Sequence, residues 1–184
     1  MVSLVQICAL KLHRVKQDTD SSMKKLVYLS LGSNVGNRQG HLRNAIGRLE
    51  SAGRVLAVSS LYETEPVEFT SQPWFLNCAV ALETAMTPKQ CMAAVLKIER
   101  EMGRQRTQEK GPRTIDIDIL FFGNMIVDSP ELTIPHPAMH QRRFVLEPLA
   151  EIAPDVKHPI LKKTVDNLRD ALPAGQTVRK FGKS

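Results

Sequence analysis

Asp116 and Asp118 stand two apart in the run Gly111-Pro112-Arg113-Thr114-Ile115-Asp116-Ile117-Asp118-Ile119-Leu120-Phe121-Phe122-Gly123, with Arg113 just ahead of them. A strand alternates its side chains, so Ile115, Ile117 and Ile119 face one way and the two carboxylates the other, roughly 7 Å apart along the strand. Asp is disfavoured in strands, and like charges on one face repel unless a cation lies between them. Two hard oxygen donors at this spacing suit Mg²⁺. A solvated amphipathic face and a structural salt-bridge cluster are the competing readings.

Arg104, Arg106, Arg113, His136, Arg142 and Arg143 lie on either side of these acids. Carboxylate-held Mg²⁺ with arginines around a polyphosphate is the arrangement phosphoryl transfer requires. A Walker A loop is missing: no G-x-x-x-x-G-K-[ST] string occurs, and Gly32-Ser33-Asn34-Val35-Gly36 has no lysine to reach a phosphate. A site built from loops and arginines on a sheet is expected instead.

The elements that must position these residues follow from periodicity. Leu26 to Leu31 reads as a strand, and Gly32 to Asn37 as a turn. Leu42, Ala45, Ile46 and Leu49 mark a helix, with Asn37 as N-cap and Gly53 as stop. Val55 to Glu63 and Phe75 to Glu83 are strand-like, and the connection Thr64 to Trp74, with Pro66 and Pro73, is too long for a tight hairpin turn. Thr87-Pro88 opens a second helix with Met92, Val95, Leu96 and Met102 on its buried stripe, and Gly103 stops it. Glu99 lies on that stripe too, which leaves both a place at its edge and a role in the site open. With the Asp-bearing strand the order is β-α-β-β-α-β, so the fold class is α+β: a ferredoxin-like antiparallel sheet with helices on one face. Beyond it, Met125 to Val127 and Leu132 to Ile134 read as a short hairpin, Ala138 to Phe144 as a helical turn and Val165 to Leu172 as a weak helix. Pro173 to Ser184 reads as a basic, mobile tail.

A chain of 184 residues, 42% of them apolar, supports one domain with a substantial core, assigned to residues 25–184. Residues 1–24 read as an extension outside it, disordered or not native, with Met23 a candidate true start and no signal-peptide pattern. The net charge of +6 favours anionic partners. Cys8, Cys78 and Cys91 are odd in number and lack metal-ligand spacing, which points to reduced thiols and a cytoplasmic protein. No apolar run approaches the roughly 20 residues of a membrane-spanning helix, so no membrane partner is expected.

Several strings occur together in order: Leu31-Gly32-Ser33-Asn34 with Gly36-Asn37, Ser59 to Thr64, Phe75-Leu76-Asn77, Ile98-Glu99 with Gly103-Arg104, the Asp-bearing run, and Pro135-His136-Pro137 with Arg142 and Phe144. In these the chain, from about Leu26 to Leu172, resembles the 6-hydroxymethyl-7,8-dihydropterin pyrophosphokinases of folate biosynthesis. The resemblance implies transfer of pyrophosphate from ATP to the pterin hydroxymethyl group, with release of AMP. It implies Asp116 and Asp118 as ligands of two Mg²⁺ ions, and Arg104 and Arg113 as catalytic cations. ATP would be held by Arg106, Lys110, Ile119, Thr133, His136 and Arg142. The pterin would meet Thr64, Glu65, Val67, Phe75, Asn77 and Phe144, its ring stacked between the two phenylalanines, each of which taken alone reads as core.

Two positions depart from the family pattern: Lys110 where tryptophan often precedes Gly-Pro-Arg, and Pro137 where tyrosine can follow the histidine. The loop Gln105 to Pro112 also looks short. It joins Gly32 to Asn37 and Thr64 to Trp74 as segments expected to order on substrate binding. A monomer with no nucleic-acid partner is expected. The alternatives are another Mg²⁺-dependent phosphoryl or nucleotidyl transferase on the same sheet, and an RNA-binding module, which would need aromatics where this strand carries acids.

Overall fold

A computed structural model of the protein describes residues 24–66, 72–104 and 111–182. Residues 1–23 of the proposed extension 1–24 and the site candidates Val67, Arg106 and Lys110 lie outside the described residues.

The elements are β1 (Lys25–Ser33), α1 (Arg38–Leu49), β2 (Arg54–Val58), β3 (Tyr62–Thr64), β4 (Phe75–Thr84), α2 (Pro88–Glu101), β5 (Asp116–Phe122), β6 (Val127–Ser129), β7 (Leu132–Ile134), α3 (Arg143–Ile152), α4 (Val165–Asp170) and β8 (Val178–Lys180), with a 3₁₀ turn at Met139–Gln141 before α3. The main sheet is antiparallel in the order β5-β1-β4-β3-β8, with β2 also paired to β4; β6 and β7 form a separate hairpin. The strand expected over Val55 to Glu63 is thus two, β2 and β3, which take successive stretches of β4. The antiparallel α+β reading holds, and the spatial order is compatible with a ferredoxin-like core.

Local chemistry accounts for the helix ends. The Asn37 side chain accepts from the Gly40 N–H at the start of α1, and Thr87 and Gln90 form a reciprocal capping box on α2 with Pro88 at its first position. After α2, Gly103 adopts φ +82°, a conformation that costs a residue with Cβ.

Strand β1 is buried along nearly its whole length because both faces of the sheet are covered. Val27, Leu29, Leu31, Cys78, Val80, Leu82, Ile117 and Ile119 pack against α1 and α2 through Leu42, Leu49, Val95 and Ile98. Tyr28, Ala79, Ala81, Leu120 and Phe121 pack against α3 and α4 through Val145, Leu146, Leu149 and Leu168. Helices on one face only is therefore corrected to helices on both.

The short turn expected over Ala138 to Phe144 is present as Met139–Gln141, and helix α3, which follows it, is unexpected from the sequence. Pro148 sits inside it and removes the N–H that would bond the Phe144 carbonyl, a usual reason to end a helix. The apolar stripe Val145, Leu146, Leu149 and Ala150, buried against the sheet, outweighs that loss. The expected mobile tail is also corrected: Val178–Lys180 is the edge strand β8, hydrogen-bonded to β3.

Candidate active site

The Asp-bearing strand behaves as its alternation requires. Ile115, Ile117 and Ile119 are buried in the core with α1 and α2, and Asp116 and Asp118 open onto the opposite face. On that face Asp116 lies opposite Gly32 and Asp118 opposite Ser30, while Asn77 of β4 lies opposite Gly32 on its other side. The register slips between Tyr28 and Leu29, leaving Leu120 as an extra residue, so beyond the acids β5 brings both Leu120 and Phe121 onto the α3 side. The site floor is small-residue backbone at Ser30 and Gly32, walled by acids to one side and an amide to the other.

Arg104, just past α2, pairs with Glu99 and, at 2.5 Å, with Asp116; Arg113 pairs with the other oxygen of Asp116. The Arg113 backbone is clamped by Asn34, whose side-chain oxygen accepts from the Arg113 N–H at 2.7 Å and whose own N–H donates to the Arg113 carbonyl at 3.2 Å. Glu99 is 2% exposed and also accepts from the Ile117 N–H at 2.8 Å, so it ties α2 to β5 and holds Arg104 in place. Glu99 is therefore not at the edge of the apolar stripe but buried with polar partners beside the acids. The Asn34 clamp on Arg113 is not anticipated by the sequence, where Asn34 reads as a turn residue and part of a family string, with no role assigned.

Both arginines serve Asp116, and Asp118 is left with less compensation. Burial, then the neighbouring Asp116, push its carboxyl up to about 7, against partial relief from Arg142. The Arg113 Nε is buried with no hydrogen-bond partner among the described residues, a donor that a ligand oxygen would satisfy. Burial, with Arg142 nearby, drops the His136 pKa to about 4, so the ring is neutral at pH 7. Its Nδ1 accepts from the Ala138 N–H at 3.2 Å, which leaves Nε2 to carry the proton as a donor.

Two cavities meet at Asp118. One, of about 160 Å³, is lined by Glu65, Phe75, Asn77, Arg113, Asp116, Arg142 and Phe144. Phe75 and Phe144 are half-buried here and do not sit in either core cluster as buried members, and Arg113 and Arg142 lie over their rings at 5.6 and 5.7 Å. Asn77 Nδ2 donates to Thr64 Oγ1 at 2.7 Å, which fixes the amide, and a Cβ at Gly32 would come 2.6 Å from Asn77 Oδ1. The second cavity, of about 220 Å³, is lined by Met92, Ile119, Leu132, Thr133, His136 and Pro137 with Asp118 again. The described pterin candidates Thr64, Glu65, Phe75, Asn77 and Phe144 thus gather at or behind the first cavity. Of the described ATP candidates, Ile119, Thr133 and His136 gather at the second and Arg142 at the first. Arg143 does not join either; it pairs with Glu147 within α3.

A carboxylate pair with arginines thus lies where an aromatic-walled pocket and a second, mostly apolar cavity share Asp118. The chain belongs to the 7,8-dihydro-6-hydroxymethylpterin-pyrophosphokinase (HPPK) family, whose model matches residues 28–154. It is 44% identical over 137 residues to the 2-amino-4-hydroxy-6-hydroxymethyldihydropteridine pyrophosphokinase of Bacillus subtilis, covering 73% of this chain and 82% of that one. It is 42% identical over 157 residues to the folic acid synthesis protein fol1 of Schizosaccharomyces pombe, covering 84% of this chain and 21% of that one. The chain therefore spans about a fifth of that curated relative. The fold is also similar to the crystal structure of wild-type Plasmodium falciparum HPPK-DHPS, with a TM-score of 0.65 and 18% identity over 80% of this chain and 44% of that one.

Proposed function

We propose that this chain transfers pyrophosphate from ATP to the hydroxymethyl group of 6-hydroxymethyl-7,8-dihydropterin, a step of tetrahydrofolate biosynthesis. The hydroxymethyl oxygen bonds to the β-phosphorus and gives up its proton to water, the bond from that phosphorus to the α-phosphate oxygen breaks, and AMP leaves. The observation that carries this reading is the junction of the two cavities at Asp118, which lets a ring in the first and a triphosphate reaching from the second meet beside Arg104 and Arg113.

In the first cavity Phe75 and Phe144 hold the pterin ring by stacking, and the fixed amide of Asn77 hydrogen-bonds its polar edge. In the second, Ile119 and Thr133 bound the nucleotide, and the neutral His136 offers its Nε2 proton to a phosphate or ribose oxygen. Arg113 meets developing charge on the transferring group with its unpaired Nε, and Arg142 contributes positive potential from the pterin side. A positioned arginine in phosphoryl transfer is worth roughly 10³ to 10⁵ in rate.

Asp116 and Asp118 are the donors we assign to two Mg²⁺ ions. The fit rests on the donor set: hard carboxylate oxygens side by side on one face, Asp118 raised to about 7 by burial and the neighbouring Asp116. Among the described residues no group of three or more His, Cys, Asp or Glu side chains could hold a metal alone. Mg²⁺ characteristically takes one or two carboxylates and completes its shell with waters and substrate phosphates. Bound there, it would supply charge neutralisation and polarise phosphoryl oxygens.

The chain acts as a monomer in the cytoplasm; two buried free thiols, Cys78 and Cys91, support the reducing compartment. An RNA partner is disfavoured because the sheet face such modules present is here occupied by Asp116, Asp118 and helix α3. The test is to incubate the protein with Mg²⁺, ATP and the hydroxymethyl dihydropterin and identify the nucleotide product by chromatography. AMP appearing only with pterin is expected; ADP, or turnover independent of pterin, overturns the reading.

A further inference from the structure

The family match ends at residue 154, yet two walls of the ring pocket are fastened to each other by a segment well past it. Strand β8 pairs with β3 in antiparallel register, Lys180 opposite Tyr62 and Val178 opposite Thr64. Its outer anchor is Arg179, which bonds Glu63 at 2.7 Å and lies over the Trp74 ring at 5.2 Å. Just before β8 the chain turns toward the pocket. The Thr177 N–H donates to Glu65 Oε1 at 2.7 Å, and the Thr177 carbonyl accepts from the Glu65 N–H at 3.4 Å.

Gln176 completes the link. Its Oε1 accepts from the Phe144 N–H at 3.3 Å, and its Nε2 donates to the Glu65 carbonyl at 3.5 Å. Phe144 lies in the first turn of α3, where backbone N–H groups have no partner within the helix, and the N-cap residue Arg142 makes no side-chain capping bond. The cap is supplied from outside by Gln176. Because both ends of its amide are engaged, one half-buried side chain spaces the Glu65 wall from the Phe144 wall. No residue of the second cavity touches it in these bonds.

We propose that Gln176 is a positioning residue for the pterin: it sets the gap between the Glu65 and Phe144 walls and so tunes affinity for the flat ring without acting on the nucleotide. The inference rests on the pterin reading given above. It places a determinant of substrate affinity outside the stretch that defines the family.

The test compares Gln176→Ala with Arg179→Ala, which loosens the outer anchor of the same strap but leaves the amide bridge. Equilibrium binding of 6-hydroxymethyl-7,8-dihydropterin is followed by fluorescence, alongside KM and kcat for both substrates. Loss of a bridge of this kind is expected to weaken pterin binding and raise pterin KM about three- to tenfold. ATP KM and kcat at saturating pterin stay within about twofold, and Arg179→Ala binds pterin nearly as wild type does. If Gln176→Ala fails to fold, Gln176→Met, of similar length but without either polar group, takes its place. Unchanged pterin binding, or equal losses in the two variants, overturns the inference and leaves the proposed function standing. Failure of the wild-type protein to bind the pterin overturns both.

Discussion

The Asp118 carboxyl is held against its preference, and replacing it should make the protein inactive and more stable at once. In the folded chain burial and Asp116 push it up to about 7 from 3.8. Below about pH 3.8 the group is protonated in folded and unfolded states alike and has no effect. Between 3.8 and about 7 the folded state retains a proton that the unfolded state has lost, so stability falls as pH rises, and above about 7 the full cost applies. The gap corresponds to about 4 kcal/mol at 1.36 kcal/mol per pH unit. Two cavities bring water to the carboxyl, which we take to halve it to about 2 kcal/mol.

Asp118→Asn keeps the shape and removes the charge. At about pH 8, in chelator and without nucleotide, its thermal midpoint should exceed that of wild type by roughly 4 to 8 °C for a domain of this size. At about pH 5 the difference should fall below half of that. Addition of Mg²⁺ with a non-hydrolysable ATP analogue should raise the wild-type midpoint more than the variant's, and the variant should form no AMP. Equal midpoints at pH 8, or a larger gap at pH 5 than at pH 8, would refute the argument.

Gly32→Ala places a Cβ 2.6 Å from Asn77 Oδ1; the amide must shift and strain its bond to Thr64, costing about 1 to 3 kcal/mol of stability and raising pterin KM with ATP KM unchanged, as steady-state kinetics would read. Glu99→Ala leaves Arg104 without its buried partner and the Ile117 N–H without its side-chain acceptor. Arg104 keeps Asp116, so a loss of about 1 to 3 kcal/mol is expected in urea unfolding, and no measurable loss would return Glu99 to the edge of the apolar stripe.

What could be read from the chain alone was what neighbours in sequence decide. Asp116 and Asp118 share a face because a strand alternates, and Pro88 follows its N-cap because a helix start needs no N–H there. Helix α3 was hidden by Pro148, whose local cost is visible in sequence while the compensating burial of Val145, Leu146 and Leu149 is not. Strand β8 was hidden because Val178–Lys180 is too short and too polar to announce itself; it forms only because β3 leaves an edge to pair with. The roles of Glu99, Asn34 and Gln176 were hidden for a related reason: each acts by a hydrogen bond to backbone distant in sequence, at Ile117, Arg113 and Phe144.

The same contrast explains how the site is arranged. Residues that would touch ligands are left with unmet demands: a raised carboxyl at Asp118, an unpaired donor on Arg113, half-buried rings at Phe75 and Phe144. Residues behind them, by contrast, have their hydrogen bonds made within the protein, as Glu99 does with Ile117 and Asn34 with Arg113. A site built this way is costly when empty and gains when a polyanion with its cations and a flat ring arrive together. Pre-positioned arginines can then act on charge as it develops without first reorganising. That division also predicts where substitutions part company: changes at the ligand-facing residues should cost activity and can add stability, whereas changes at the supporting residues should cost both.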